Sequence, residues 1–174
     1  TVHHAPQGLA TQLISAGLLT FAAFRTNGHL LQGIIAEARG VDRTVLLQVA
    51  AAFLFGAGGS ANQLFGIEGP NQAWLFAALG TLAWAGTGAF GRREGWLWTF
   101  APIGLAGSII AAIVAGDGFG VLAAVLAIAA VSQAAASLAG RRWAILAPAS
   151  AFAWLAIWAG WQWRDLDTAY LSLV

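Results

Sequence analysis

Residues 91–142 read GRREGWLWTFAPIGLAGSIIAAIVAGDGFGVLAAVLAIAAVSQAAASLAGRR. Two apolar runs, Trp96 to Ala115 and Phe119 to Ala139, are joined by one Gly-Asp-Gly turn and enclosed by Gly-Arg-Arg at each end. Each run has the length at which a helix, at roughly 20 residues, crosses a hydrocarbon core of about 30 Å. Neither run alternates with period two. Because hydrocarbon admits only helices and closed barrels as spanning structures, both runs read as membrane helices.

Working outward, the same reading gives four more spans: Leu9 to Phe24, Val45 to Phe65, Ala73 to Phe90 and Trp143 to Trp163. The first is diluted by Thr11, Gln12, Ser15 and Thr20, but it holds no charge and stops at Arg25. The expected fold is all-α: a single transmembrane domain over residues 1–174, built as a bundle of six helices. Composition agrees, since 59% of the 174 residues are apolar and 9% are charged, against about a quarter charged in soluble domains. With no cysteine there is no disulfide framework, thiolate metal site or sulfur nucleophile. A net charge of +1, with no basic run, leaves no footprint for nucleic acid as a partner.

All eight basic residues are arginine, and their placement sets an orientation. Arg25, Arg39 and Arg43 lie between spans one and two, Arg92 and Arg93 between three and four, and Arg141 and Arg142 between five and six. The intervening loops carry Glu68 and Asp117 instead. The positive-inside rule puts the arginine loops in the cytoplasm and both termini outside, as in a bacterial inner membrane. Trp74, Trp96, Trp98, Trp143, Trp161 and Trp163 fall near the expected interfaces, where indoles are favoured. Trp84, Trp154 and Trp158 lie deeper and need another explanation. Residues 28–39 read either as an interfacial helix, with Leu30, Leu31, Ile34 and Ile35 in lipid, or as an ordinary loop. No cleavable signal peptide is expected at the N-terminus.

Arg43, Arg92 and Arg141 recur every 49 residues, and Gly91-Arg92-Arg93 matches Gly140-Arg141-Arg142. This predicts a tandem repeat of two-helix hairpins, each going out, turning at an acidic loop and returning, with helices one and six as flanking members. Two crossings and two loops take about this length in any case, which is the plainer explanation. Pro148 and Pro102 are expected to loosen the first turns of their helices at little cost.

Three motifs invite chemistry. Gly56-Ala57-Gly58-Gly59-Ser60-Ala61 loosely resembles the glycine-serine motif of rhomboid proteases, but a serine nucleophile needs a base within reach. His3, His4 and His29 lie outside every span, and small-residue helix packing accounts for the motif as well as for Gly80, Gly86, Gly88 and Gly104 to Ser108. The His3-His4 pair lacks further ligands for a metal or haem, so no cofactor and no metal are expected. His29, beside Glu37 and Asp42, reads as a solvated loop residue or a pH sensor. No ionisable residue falls within a span, which weighs against ion-coupled pumping and against enzymatic activity.

The spans do contain neutral polar groups: Gln12 with Ser15, Gln48, Ser60 with Asn62 and Gln63, and Ser132 with Gln133 and Ser137. Gln12, Ser15, Ser60, Asn62, Gln63, Gln133 and Ser137 form a candidate polar path for a small neutral or weakly acidic solute. The plainer reading of each residue is a hydrogen bond between helices. In helix six, Trp154, Trp158 and Trp161 recur at i, i+4 and i+7 as a candidate face for a partner chain, lipid or pigment.

In topology and short hairpins, residues 45–163 resemble the small acid-resistance membrane proteins of the HdeD type. Gly104 to Gly140 carries that likeness: a small-residue helix, a Gly-Asp turn and an apolar return. Six short helices with external termini also look like UreI and AmiS channels for urea and amides, although that family's acidic residue in the last helix has no counterpart here. Ala5-Pro6-Gln7-Gly8-Leu9 is similar to the opening motif of SatP acetate transporters, without its first Asn-Pro. No site residues follow from these likenesses. The expected function is a non-enzymatic channel or facilitator, alternatively an accessory or scaffold subunit of a larger membrane complex. The expected partners are the lipid bilayer and either further copies of the chain or other subunits.

Overall fold

The computed structural model describes residues 5–25, 41–92, 94–141 and 143–164. Six helices account for nearly all of them: α1 Ala5–Arg25, α2 Val41–Leu64, α3 Ala73–Phe90, α4 Glu94–Ala115, α5 Phe119–Gly140 and α6 Leu146–Trp163. Short 3-10 turns, Gly69–Gln72 and Trp143–Ile145, lead into α3 and α6. The turn between α4 and α5 depends on Gly116, whose φ of 49° is left-handed and is adopted by glycine without steric cost.

Five helices, α2 to α6, are long and apolar enough to cross a membrane. At 21 residues α1 matches them in length. Some of its polar residues are used against α2. Ser60 Oγ donates to Gln12 Oε1 at 3.1 Å. A Cβ at Gly56 would stand 3.0 Å from the Gln12 amide. Close approach of small residues and hydrogen bonding between helices replace the hydrophobic drive that lipid abolishes.

The tightest helix pairs are α1–α2, α3–α4 and α5–α6. Each is joined through an arginine-bearing segment, whereas α2 and α3, joined through the Glu68 loop, barely touch. The packed hairpins are therefore out of phase with the acidic-loop hairpins expected from the 49-residue rhythm. At the centre α3 packs on both α4 and α5, while α2 reaches the rest through α4 and α6 through α5. The helices form a row rather than a ring.

Alanine dominates the core, in three small clusters. Between α3 and α4 the backbones meet: a Cβ on Gly107 would lie 2.7 Å from Gly80 Cα. Trp84, only 3% exposed, lies over Gly104, where a Cβ would come within 2.8 Å of its ring. Its indole N–H donates to Ser108 Oγ at 3.3 Å, which accounts for one of the three deep tryptophans.

Both arginine turns lie at one end, since Arg92 Nη2 reaches Ala139 O at 3.4 Å. Both acidic turns lie at the other, where Gly118 abuts the Pro70 ring.

Candidate functional site

The seven residues of the candidate polar path fall into separate environments. Gln12 and Ser60 are paired between α1 and α2, and Ser15 is half-buried on α1. Asn62 is buried and donates through Nδ2 to Gln72 O at 3.2 Å, which ties α2 to the turn before α3. Gln63, its neighbour, is exposed. Gln133 and Ser137 share the buried face of α5 with Leu126, Ala129, Ala130 and Ala136. The interhelical clefts at α2–α3, α3–α5 and α2–α4, and the recess beside Asp117, are lined without any of the seven.

Gln133 stands apart energetically. It is fully buried, and neither Nε2 nor Oε1 has a hydrogen-bond partner; Asn62 Oδ1 is likewise unpaired. A buried amide without partners costs about 1–3 kcal/mol by mutational measures.

A second polar seam, between the parallel helices α2 and α4, was only hinted at in the sequence by Gln48. Gln48 Nε2 donates to Trp98 O at 3.0 Å, and the Thr44 and Thr99 hydroxyls lie 3.0 Å apart. The Arg43 guanidinium sits 4.2 Å from the Trp96 ring centroid. Trp96 stacks on Phe100 at 5.5 Å and 10°, and both rings meet Phe90. Arg43 is the first member of the 49-residue arginine series, with Trp96 just after the second. The signal was present, but the contact between them was not.

Pro102 lies more than two turns inside α4 because that helix starts at Glu94, so it is an interior proline and not a first-turn one. Lacking an N–H, it leaves the carbonyl of Trp98, four residues earlier, without its helical donor. Gln48 supplies that donor. Pro148, by contrast, falls in the first turn of α6.

On α6, Phe152 faces α5 in the core, while Trp154, Leu155, Ile157 and Trp158 are exposed. Trp154 is 68% exposed at the middle of the helix. Trp158 meets Phe119 edge-on at 5.9 Å, and Trp161 is half-buried. The exposed Trp74, Trp98, Trp143 and Trp163 all stand near helix ends, where an interfacial belt belongs.

Two glycines of the Gly56–Ala61 motif serve packing: Gly56 abuts Gln12 of α1, and Gly58 abuts Phe76 and Leu75 of α3. The Ser60 hydroxyl is held by an amide oxygen. Among the described residues no group of three His, Cys, Asp or Glu side chains converges. His3, His4, His29 and residues 28–39 lie outside the described residues. Comparison with known protein families, curated proteins and solved structures yields no match.

Proposed function

We propose that this chain is a non-enzymatic accessory or scaffold subunit of a membrane assembly, which it joins through the outer face of α6. The observation that carries this reading is Trp154. An indole N–H in mid-bilayer has no water to bond, so tryptophan is favoured at interfaces and unfavoured at the centre of a lipid-facing surface. Trp154 is about 12 Å from either end of its helix and has no ring contact or hydrogen bond among the described residues. A neighbouring chain, either a second copy or another subunit, would cover the ring and offer an acceptor to its N–H.

The row arrangement supports the same reading, since the two outer hairpins leave broad apolar faces. We further propose that the arginine turns face the cytoplasm of a bacterial inner membrane and both termini the outside. In this reading the 49-residue rhythm marks a repeat of arginine-hinged hairpins. The packing of α2 on α4 has no comparable counterpart between α4 and α6, so such a repeat has diverged in its contacts.

Photocrosslinking in intact membranes tests the subunit reading. Benzoylphenylalanine in place of Trp154 is expected to give a discrete protein adduct with a stoichiometric partner. The same group in place of Ile113, 72% exposed on α4, is expected to react with lipid. Lipid adducts alone from position 154 would end the proposal.

One observation favours a second reading, a facilitator for a small neutral or weakly acidic solute. The unpaired Gln133 amide, with Ser137 one turn on, is the kind of group a passing amide or acid would bond. Flux of urea, acetamide and acetate into vesicles, with Gln133→Leu and Gln63→Leu as variants, tests it. Unchanged flux of every solute would remove that reading.

A further inference from the structure

Because the α1–α2 hairpin meets the rest mainly through α4, a cleft opens between α2 and α3. Leu47, Leu54, Leu79, Leu82 and Phe100 are on its walls, and Thr20 of α1 is its one polar wall residue. Its volume is about 240 Å³, larger than the roughly 150 Å³ apolar cavity that stays dry yet admits benzene. Water needs two to four polar partners, and this lining does not supply them. Leu82 and Leu54 are partly exposed, at 69% and 38%, so the cleft opens towards the surrounding lipid.

One end of the cleft leads to a cation. Leu47 is one helical turn from Arg43, and Phe100 one turn from Trp96. Phe100 stacks on Trp96, and Arg43 lies over Trp96. No carboxylate pairs with Arg43 among the described residues. An apolar slot, an aromatic collar and a guanidinium therefore follow one another along α2 and α4. This sequence matches an acyl chain and its phosphate, which a guanidinium binds with a fork of parallel hydrogen bonds.

We propose that the α2–α3 cleft binds one acyl chain of an anionic phospholipid, with the phosphate held at Arg43. The site is independent of the α6 face. It anchors the loosely attached α1–α2 hairpin by filling the gap that protein does not fill.

The test uses the full chain in mild detergent, titrated with dioleoyl phosphatidylglycerol or dioleoyl phosphatidylcholine and read by native mass spectrometry. These lipids share their chains and differ in head-group charge. The expected result is one retained phosphatidylglycerol, bound more strongly than phosphatidylcholine. Arg43→Gln is expected to lower its retention about fivefold, the worth of one arginine near anionic lipid, while Arg141→Gln leaves it unchanged. Leu54→Trp, which fills the cleft, is expected to abolish retention of both lipids. Leu82→Trp does the same from a more exposed position should the first variant fail to fold. Equal retention of the two lipids, indifference to Arg43→Gln, or binding that survives a filled cleft would each overturn the proposal. So would a cleft that retains no lipid because a second copy or another chain occupies it.

Discussion

The side-chain amide of Gln48 donates to the main-chain oxygen of Trp98 at 3.0 Å, the carbonyl that Pro102 leaves without a donor. A proline inside a membrane helix is tolerated where a neighbouring helix re-satisfies the freed group, and α2 does so for α4. Gln48→Leu should therefore cost about 1–3 kcal/mol, the cost of a carbonyl left without a donor where lipid supplies none. In a Pro102→Ala background the new N–H takes over the carbonyl, and the same substitution should cost less than about 1 kcal/mol. A double-mutant cycle in reversible detergent unfolding measures the coupling. Equal costs in both backgrounds would show that Gln48 does not act through Trp98.

The contact of Gly80 with Gly107 makes a sharper steric prediction. A Cβ at 107 would sit 2.7 Å from the Gly80 backbone, so Gly107→Val must push α3 and α4 apart, at about 1–3 kcal/mol for overpacking. Gly59, also inside a helix, has nothing within 4 Å of its would-be Cβ. Gly59→Ala should leave stability unchanged or raise it by up to about 1 kcal/mol. Thermal unfolding of both variants in one detergent separates a packing role from a generic dislike of substitution.

Gln133 offers the opposite sign. Its amide gains no hydrogen bond in the folded chain, so replacing it with an apolar group of similar volume removes a penalty and no contact. Gln133→Leu is expected to leave stability unchanged or raise it by about 1–3 kcal/mol, and Gln133→Glu to lower it by burying an acid. Loss of stability in Gln133→Leu would mean that the amide has a partner in the membrane, such as a bound water or solute.

The six helices were legible to within a few residues, because arginines and glycines punctuate the apolar runs. The 3-10 turns at Gly69–Gln72 and Trp143–Ile145 were not, since they continue the helical composition. Which helices pack together was also hidden. Helices that are apolar all round show no stripe to reveal the buried face, and the 49-residue rhythm pointed to the wrong partner for α2. Of the candidate path, the sequence placed the polar groups within helices but could not show that Gln12 meets Ser60 while the Gln133 amide has no hydrogen-bond partner. The Gln48–Trp98 contact left one trace: a proline at 102 announces a free carbonyl at 98. The identity of the donor depends on a neighbour 50 residues away, and no local pattern encodes it.

The absence of cysteine makes single-cysteine labelling a clean test of orientation. Glu68 and Asp117 are exposed at one end of the helices, Arg92 and Arg141 at the other. The charge bias across the loops predicts that cysteines replacing Glu68 or Asp117 react with a membrane-impermeant maleimide on intact cells. Cysteines replacing Arg92 or Arg141 should react only after the membrane is opened. Removing one arginine leaves six in the same set of segments, so the bias survives the substitution. The Arg92 and Arg141 turns are held together through the contact of Arg92 with Ala139 O, and they must therefore label together. Labelling of the two from opposite faces would contradict the helix packing itself, whereas labelling of both from outside would invert the orientation and leave the packing intact.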